Sequence, residues 1–360
     1  MVQYESDIIT ASQSSAATGM HQATVRNRRL RPDNRESRLV RYHRGVPLPK
    51  GGLTLGILAL GNLYITMGLG SPTAIRIGCA LVAVPLLFTI IGKCLLHPVL
   101  VLGTDMSSPI VAPVSATVFM SLMQIASYIA PYDGPAHTLS IALWYFAVSC
   151  NIVLMVHITS RFVVHGFAFR QVFPTWFVGY VGIVVASATS APVHQRPLGL
   201  MIFWIGFMLY MVMLAIVGIR VMRIPMEPVT RPTLAIFAAP MSLSVAGYTA
   251  SAPDPNLGFV LVLIVLAQAL FLGVLMIMPM LLRSPFSPAY AAFTFPFVIT
   301  ATALHKVLDL CKGRGWDVPS WCYGLQYAET VFATLMVAMV LVRYMHGSHI
   351  RWSALGLSEG

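Results

Sequence analysis

Residues 232–248 read PTLAIFAAPMSLSVAGY, and residues 288–303 read PAYAAFTFPFVITATA. In both stretches a second proline follows the first after eight residues. Residues 174–189, PTWFVGYVGIVVASAT, keep this frame with Gly182 in the second place. Residues 109–120, PIVAPVSATVFM, keep a central proline, Pro113, which is followed by residues with Ser and Thr as in the other stretches. This internal repeat predicts a fold assembled from several copies of one structural unit.

The surrounding sequence is apolar enough to place the repeat in a membrane. Of 360 residues, 57% are hydrophobic and 10% are charged, against about 25% charged in a typical soluble domain. This composition excludes a soluble enzyme, a disordered protein and a nucleic-acid-binding protein, and it predicts an all-α integral membrane protein. Ten apolar segments, numbered one to ten below, are expected at about residues 51–69, 74–96, 109–131, 138–158, 173–190, 197–222, 232–251, 257–282, 286–308 and 321–344.

The distribution of positive charge predicts the orientation. With ten spans, 18 of the 23 Lys and Arg residues fall on the side that holds both termini. Both termini are therefore expected in the cytoplasm of a multi-pass protein of the cell membrane. The expected organisation is a disordered basic tail over 1–50, a transmembrane domain over 51–345 and a short cytoplasmic tail over 346–360. The basic tail either binds anionic lipid or only sets the orientation.

The repeat lies in the odd-numbered segments, which are expected to be interrupted at a common depth. Proline removes a backbone hydrogen bond, and in a membrane the freed groups need a neighbouring helix or a water-filled cavity. The simplest assembly is five helical hairpins around one axis, with odd segments inside and even segments facing lipid. The alternative is that small residues only permit tight helix packing. The expected helix breaks that line a pore are Gly56, Pro113, Gly182, Pro240 and Pro296.

The layer just before these breaks contains one aromatic side chain. It consists of Leu55, Ala112, Val181, Ala239 and Phe295. A phenylalanine facing smaller side chains could close a narrow pore, although on an apolar helix it is ordinarily a packing residue.

The odd segments offer hydroxyl groups at mid-depth, with no Lys or Arg there. Weak donors together with helix N-termini suit the passage of anions without tight capture. Alternatively, the hydroxyls only bond to their own helix backbone. The candidates are Ser115, Thr117, Ser187, Thr189, Ser242, Ser244, Thr300 and Thr302.

Glu329 is the candidate carboxylate within a span. It is either a proton-coupling residue or a structural acid that pairs with Lys306 or His305 or bonds to Gln268. The sequence contains no GxxxxGK[ST], HExxH or CxxC motif, so no cofactor, metal or enzymatic activity is expected. Cys311 and Cys322 flank a predicted outer loop and are either free or disulfide-bonded.

Four stretches, SPIVAPVSATVFM, FPTWFVGYVGIVVAS, PTLAIFAAPMSLSVAGY and YAAFTFPFVITATAL, resemble the tellurite-resistance/dicarboxylate transporter family. This family includes TehA-like proteins, malic-acid transporters and plant slow anion channels. The resemblance covers about residues 45–345, and AFTFP at residues 292–296 is its most specific match. Segment one departs from the family pattern because it has no central proline.

The resemblance implies ten transmembrane helices in five hairpins, with quasi-fivefold symmetry around a central pore. It also implies a homotrimer with one pore per subunit and a gating phenylalanine at Phe295. The expected function is a channel or facilitative transporter for small inorganic or organic anions. The alternatives are a proton-coupled C4-dicarboxylate carrier of the malate type and a tellurite-resistance exporter. The expected partners are a small anion and membrane lipid.

Overall fold

A computed structural model describes residues 38–357, with side chains described for residues 40–346. The short helix Arg38–Arg44 belongs to a unit that ends at Gly45, and all that follows concerns the second unit, which begins at Val46. Of the basic tail, Arg26, Arg28, Arg29, Arg31 and Arg35 lie outside the described residues.

The second unit is built from helices, and within residues 38–357 eight of them are long and apolar enough to cross a membrane. They correspond to predicted segments two, three, four, six, seven, eight, nine and ten. Their bounds are Pro72–Leu96, Val111–Ile129, Pro135–Val164, Arg196–Arg223, Arg231–Ser251, Leu257–Leu282, Pro288–Gly313 and Ser320–His346.

Segments one and five are shorter than these eight helices. Segment one is the single helix Lys50–Thr66, which has 17 residues. Segment five consists of two short helices, Thr175–Val181 and Val184–Ala188, separated at Gly182 and Ile183. The final helix, Ser320–Leu357, continues through much of the sequence expected to be a C-terminal tail.

Odd and even segments differ in burial. In the long helices, 72–83% of the most apolar window is buried for segments three, seven and nine, but only 17–39% for the even segments. The exposed side chains of the even segments are largely apolar, such as Leu81, Val153, Val265 and Leu335. Since apolar surface of this extent suits contact with hydrocarbon, the even segments form the outer layer.

The contacts between segments follow a regular order. Each odd segment packs against the even segment that follows it in the chain. Segment one also packs against segment three, three against five, five against seven, and seven against nine. Segment nine packs against segment one, which closes the series.

Four of the five odd segments are interrupted near the predicted positions. In segment seven a 3-10 helix, Arg231–Ala238, precedes the α-helix Ala239–Ser251. In segment nine the 3-10 helix Pro288–Phe293 precedes the α-helix Phe295–Gly313. Segment three changes at Ser115, between Val111–Val114 and Ala116–Ile129.

The central prolines mark helix starts rather than kinks within a helix. Pro240 and Pro296 each occupy the second position of an α-helix. A proline is tolerated there because the first N–H groups of a helix have no intrahelical partner. In segment seven the spacing of eight residues between prolines equals the length of the 3-10 helix, whereas in segment nine the 3-10 helix has six residues and Thr294 separates it from the α-helix.

The expected break at Gly56 is wrong. The helix Lys50–Thr66 is continuous through this residue. Unlike proline, glycine keeps its backbone N–H, so it weakens a helix without removing a hydrogen bond from it.

Candidate functional site

A cavity of about 270 Å³ lies among the five odd segments, each of which contributes to its wall. It extends from their N-terminal ends, marked by Pro49, Ser108, Thr175, Val229 and Ser287, to the level of the helix starts at Pro240 and Pro296. The cavity therefore occupies one end of the bundle, on the side where the odd segments begin.

The lining residues recur at intervals of three in every odd segment. The five rows are Pro49, Gly52 and Leu55; Ser108, Val111, Val114, Thr117 and Met120; Thr175, Val178 and Val181; Thr230, Thr233, Ile236 and Ala239; and Ala289, Ala292 and Phe295. A 3-10 helix has three residues per turn, so side chains three apart point in the same direction. In segments seven and nine the rows coincide with 3-10 helices.

Backbone hydrogen bonds explain the same spacing elsewhere. At the start of segment one, the N–H groups of Lys50, Gly51 and Gly52 each donate to the carbonyl three residues earlier. In segment five the N–H groups of Trp176 and Phe177 do the same. The rows of segments seven and nine thus follow 3-10 helices, and those of segments one and five begin in turns of the same type and continue into α-helices. The row of segment three runs mainly through the α-helices Val111–Val114 and Ala116–Ile129.

Phe295 lies in the cavity wall where segment nine changes from a 3-10 helix to an α-helix. Its side chain is 6% exposed. The change occurs at Thr294, whose φ of −103° and ψ of −88° lie outside helical values. The Thr294 hydroxyl is 2.8 Å from the Gly52 carbonyl and 2.7 Å from that of Ala291. Segment one therefore supports the turn that presents Phe295 to the cavity.

Most of the residues predicted to form a layer around Phe295 line the cavity. Leu55, Val181, Ala239 and Phe295 all line the cavity, and so do the predicted breaks Gly182, Pro240 and Pro296. The other predicted members, Gly56, Ala112 and Pro113, do not line it. In segment three the wall is instead formed by Val111 and Val114.

Most of the predicted hydroxyl groups bond to their own helix. Each of the following donates to a carbonyl three or four residues earlier: Ser115, Thr117, Thr189, Ser242, Ser244, Thr300 and Thr302. The Ser187 hydroxyl is fully buried without a partner. Of the eight candidates, Thr117 alone lines the cavity.

Five other hydroxyl residues line the cavity and were not singled out by the sequence analysis: Ser108, Thr175, Thr230, Thr233 and Ser287. Thr230, Thr233 and Ser287 donate to backbone carbonyls. Thr175 is fully buried, and its hydroxyl has no hydrogen-bond partner. Two of these residues could have been predicted from the repeat, because Thr175 and Thr233 each directly follow its first proline.

Charged side chains surround the cavity without entering it. Among the described residues that line its wall, none is Lys, Arg, Asp or Glu. Next to the lining residue Pro49, the buried Lys50 ammonium donates to the Thr89 hydroxyl at 3.1 Å. One turn beyond Thr89, the Lys93 Nζ atom lies 2.7 Å from an Asp105 carboxylate oxygen. The wall is thus apolar with hydroxyl groups, and cationic groups lie behind it.

Glu329 lies away from the cavity, on segment ten. It is 4% exposed, and neither carboxylate oxygen has a hydrogen-bond partner. Gln268 of segment eight faces it. The expected pairing with His305 is not formed, because the His305 ring contacts Gln326 at 3.0 Å and Asp309 at 3.3 Å.

The cysteines offer no covalent crosslink to this arrangement. All five, including Cys311 and Cys322, are free thiols in the structure. In the part of the chain that the structure describes, no group of three or more His, Cys, Asp and Glu side chains converges on a common point.

Comparison with known proteins matches most of the chain to one family. The family described as SLAC1, voltage-dependent anion channel, matches residues 51–345. No curated protein matches the chain. The matched range contains all five odd segments and the cavity except for its first lining residue, Pro49.

Proposed function

The chain belongs to the SLAC1 family of voltage-dependent anion channels, and we propose that it conducts small anions through a pore gated by Phe295. It is a multi-pass membrane protein of the anion channel and transporter class. The proposal goes beyond this class by naming the pathway, the gate and the mode of passage.

The proposed pathway is the axis enclosed by the odd segments. We propose ten membrane-spanning segments in five hairpins with quasi-fivefold symmetry, counting segments one and five as spans. The closed series of contacts from segment one to segment nine supports this arrangement. The burial of the odd segments and the exposure of the even ones support it as well. The positive charge on the side of the termini supports a cytoplasmic location for both.

The observation that carries the proposal is the position of Phe295 in the wall of the central cavity. Its neighbours in the predicted layer, Leu55, Val181 and Ala239, come from three other odd segments. A benzyl group is larger than any of these side chains, so its rotamer governs the opening at this level. The cavity on one side of this layer is then a vestibule from which an anion approaches the gate.

The chemistry of the wall suits rapid passage of anions. A buried Lys or Arg in the wall would bind an anion strongly and slow its exit. Instead the wall offers hydroxyl groups, and one of them, the buried Thr175 hydroxyl, has no hydrogen-bond partner. Lys50, behind the wall, contributes positive potential without direct contact.

The test is anion flux in proteoliposomes that contain Phe295→Ala. We expect faster chloride flux than in the wild-type protein, because the obstructing ring is removed. Phe293→Ala is the matched control. Phe293 lies in the same segment, but its ring packs against Tyr290 and Phe297 rather than lining the cavity. Unchanged flux in a well-folded Phe295→Ala protein would contradict the gate.

A second candidate function is favoured by Glu329. A carboxyl group that is buried in a span and faces the neutral amide of Gln268 is suited to carry a proton. This favours a proton-coupled carrier for C4-dicarboxylates of the malate type. Uptake that follows a pH gradient would distinguish this carrier from a channel.

We also propose a homotrimer with one pore per subunit, on the basis of the family resemblance. Light scattering of the detergent-solubilised protein, corrected for detergent mass, tests the subunit number. A monomer under conditions that preserve flux would contradict this proposal.

A further inference from the structure

Two histidines meet at the end of the bundle opposite the cavity mouth. His137 is the third residue of segment four, and His194 lies in the linker between segments five and six. Their imidazole rings are separated by 4.9 Å between centroids and inclined at 51°. His137 thus belongs to the pair formed by segments three and four, and His194 to the pair formed by segments five and six. The two rings meet where segments three and five end.

The His137 ring is oriented by a backbone carbonyl. Its Nδ1 atom lies 2.8 Å from the Ala130 carbonyl oxygen. A carbonyl only accepts hydrogen bonds, so Nδ1 carries the hydrogen and Nε2 of the neutral ring carries a lone pair. Histidines that bind metals commonly have this arrangement, with the non-ligating N–H donated to a carbonyl or carboxylate.

The His194 ring is exposed and has no hydrogen-bond partner within the described residues. Its backbone φ of +58° places it in the left-handed region, and no other non-glycine residue of the described chain has a positive φ. Such conformations persist where the surrounding structure enforces them, and they often occur at functional positions.

The linker that carries His194 is held against segment four by two further contacts. The Trp144 indole N–H donates to the Thr189 hydroxyl at 3.0 Å. The Tyr145 hydroxyl donates to the Gln195 side-chain oxygen at 2.8 Å. Because these bonds lie on both sides of His194 in sequence, the two imidazoles are held close together without a bond between them.

The separation of the rings fits a shared metal ion. Imidazole nitrogens bind Zn²⁺ at about 2.0–2.1 Å with angles near 110°. With each nitrogen roughly 1.1 Å from its ring centroid, two such ligands place their centroids about 5 Å apart. The observed 4.9 Å agrees with this value.

We propose that His137 and His194 form a two-imidazole site for a divalent transition-metal ion such as Ni²⁺ or Zn²⁺. Imidazole is a common ligand for these ions. Water completes the coordination, since no third His, Cys, Asp or Glu converges on the pair in the described residues. The bound ion clamps the linker after segment five to the start of segment four.

The test is calorimetric titration of Ni²⁺ into the detergent-purified full-length protein. The variants are His137→Gln, His194→Asn and the double variant, where asparagine is chosen because it tolerates the left-handed conformation. The matched control is His165→Gln. His165 is exposed, and its Nδ1 also contacts a backbone carbonyl, that of Ser160 at 2.7 Å, but among the described side chains no second imidazole lies against its ring.

We expect either single variant to weaken one Ni²⁺ site by about tenfold or more, since even loss of an outer-shell partner costs about 10–100-fold in affinity. The double variant should bind at least as weakly as either single variant at this site, because it keeps neither imidazole ligand. His165→Gln should bind as the wild type does. Wild-type binding by His194→Asn, or an equal loss in His165→Gln, would overturn the site. Since the His194 side chain makes no hydrogen bond to the described residues, its variant remains informative even if His137→Gln does not fold.

Discussion

Gly56 lies directly against Thr294, so that a Cβ atom on Gly56 would be 2.6 Å from the Thr294 Cβ and 3.1 Å from the Phe295 backbone nitrogen. One turn earlier on segment one, the Gly52 carbonyl accepts the Thr294 hydroxyl. The backbone of segment one thus approaches segment nine at the point where the helix carrying Phe295 begins. The absence of a side chain at Gly56 is what permits this approach.

Gly56→Ala is therefore expected to displace Thr294 and to destabilise the protein by about 1–3 kcal/mol, the usual cost of overpacking. Because Phe295 follows Thr294, chloride flux should change as well. Thermal unfolding in detergent and flux in proteoliposomes measure the two effects. Gly78→Ala is the control, because Gly78 lies within a helix and a Cβ atom added to it would meet no other atom within 4 Å. An equal effect of both substitutions would contradict the role of Gly56.

Thr175→Val replaces a buried hydroxyl that has no partner with a methyl group of similar size. Stability should be unchanged or slightly higher, because an unsatisfied buried group is removed. If the hydroxyl donates to the passing ion, losing about 1.5 kcal/mol of stabilisation lowers chloride flux roughly tenfold. Thr302→Val is the control, since the Thr302 hydroxyl donates to Val298 and the residue does not line the cavity. Wild-type flux in Thr175→Val would show that the hydroxyl does not contact the ion.

Lys93→Ala leaves the largely buried Asp105 carboxylate without its partner. Breaking a buried ion pair from one side costs about 3–5 kcal/mol, so a marked fall in the unfolding temperature is expected. Replacing both residues, as Lys93→Met with Asp105→Leu, should recover most of this loss because no uncompensated charge remains. If the double variant is as unstable as Lys93→Ala, the loss comes from packing rather than from charge.

Glu329→Gln removes a titratable group while keeping the side-chain size. Chloride flux down a concentration gradient should match the wild type, because segment ten contributes no residue to the cavity wall among those described. Glu227→Gln, at an exposed carboxylate, provides the control for loss of one negative charge. Loss of malate uptake driven by a pH gradient in Glu329→Gln alone would instead favour the coupled carrier.

Much of the architecture could be predicted from the proline frame and the apolar segments. The frame located the interruptions in segments three, seven and nine, because proline has no N–H. It also located the one in segment five, where Gly182 keeps helical angles and a Cβ atom added to it would lie 2.8 Å from the Met120 sulfur. It failed for Gly56, where glycine alone leaves a continuous helix. Three of the residues that the frame placed just before the central break, Val181, Ala239 and Phe295, line the cavity, and so does Leu55 of segment one, which lacks the frame.

The direction in which side chains point could not be predicted in the same way. The choice of Ser115, Ser187, Ser242 and Thr300 rested on their place after the central break, where the chain is α-helical and most hydroxyls bond to the backbone. Most of the cavity wall lies before the break, although Thr117, Met120 and Leu243 line it from beyond the break. For segment three the central proline indicated Ala112, whereas the wall contains Val111 and Val114.

The three-residue rows supply most of the residues that line the cavity, and some residues between them, such as Ile110, Phe177 and Ala291, line it as well. Substitutions in a row therefore alter the cavity wall directly. A single inserted residue within Arg231–Ala238 would rotate everything after it by about 120°, so that segment seven would present an entirely different set of side chains to the cavity.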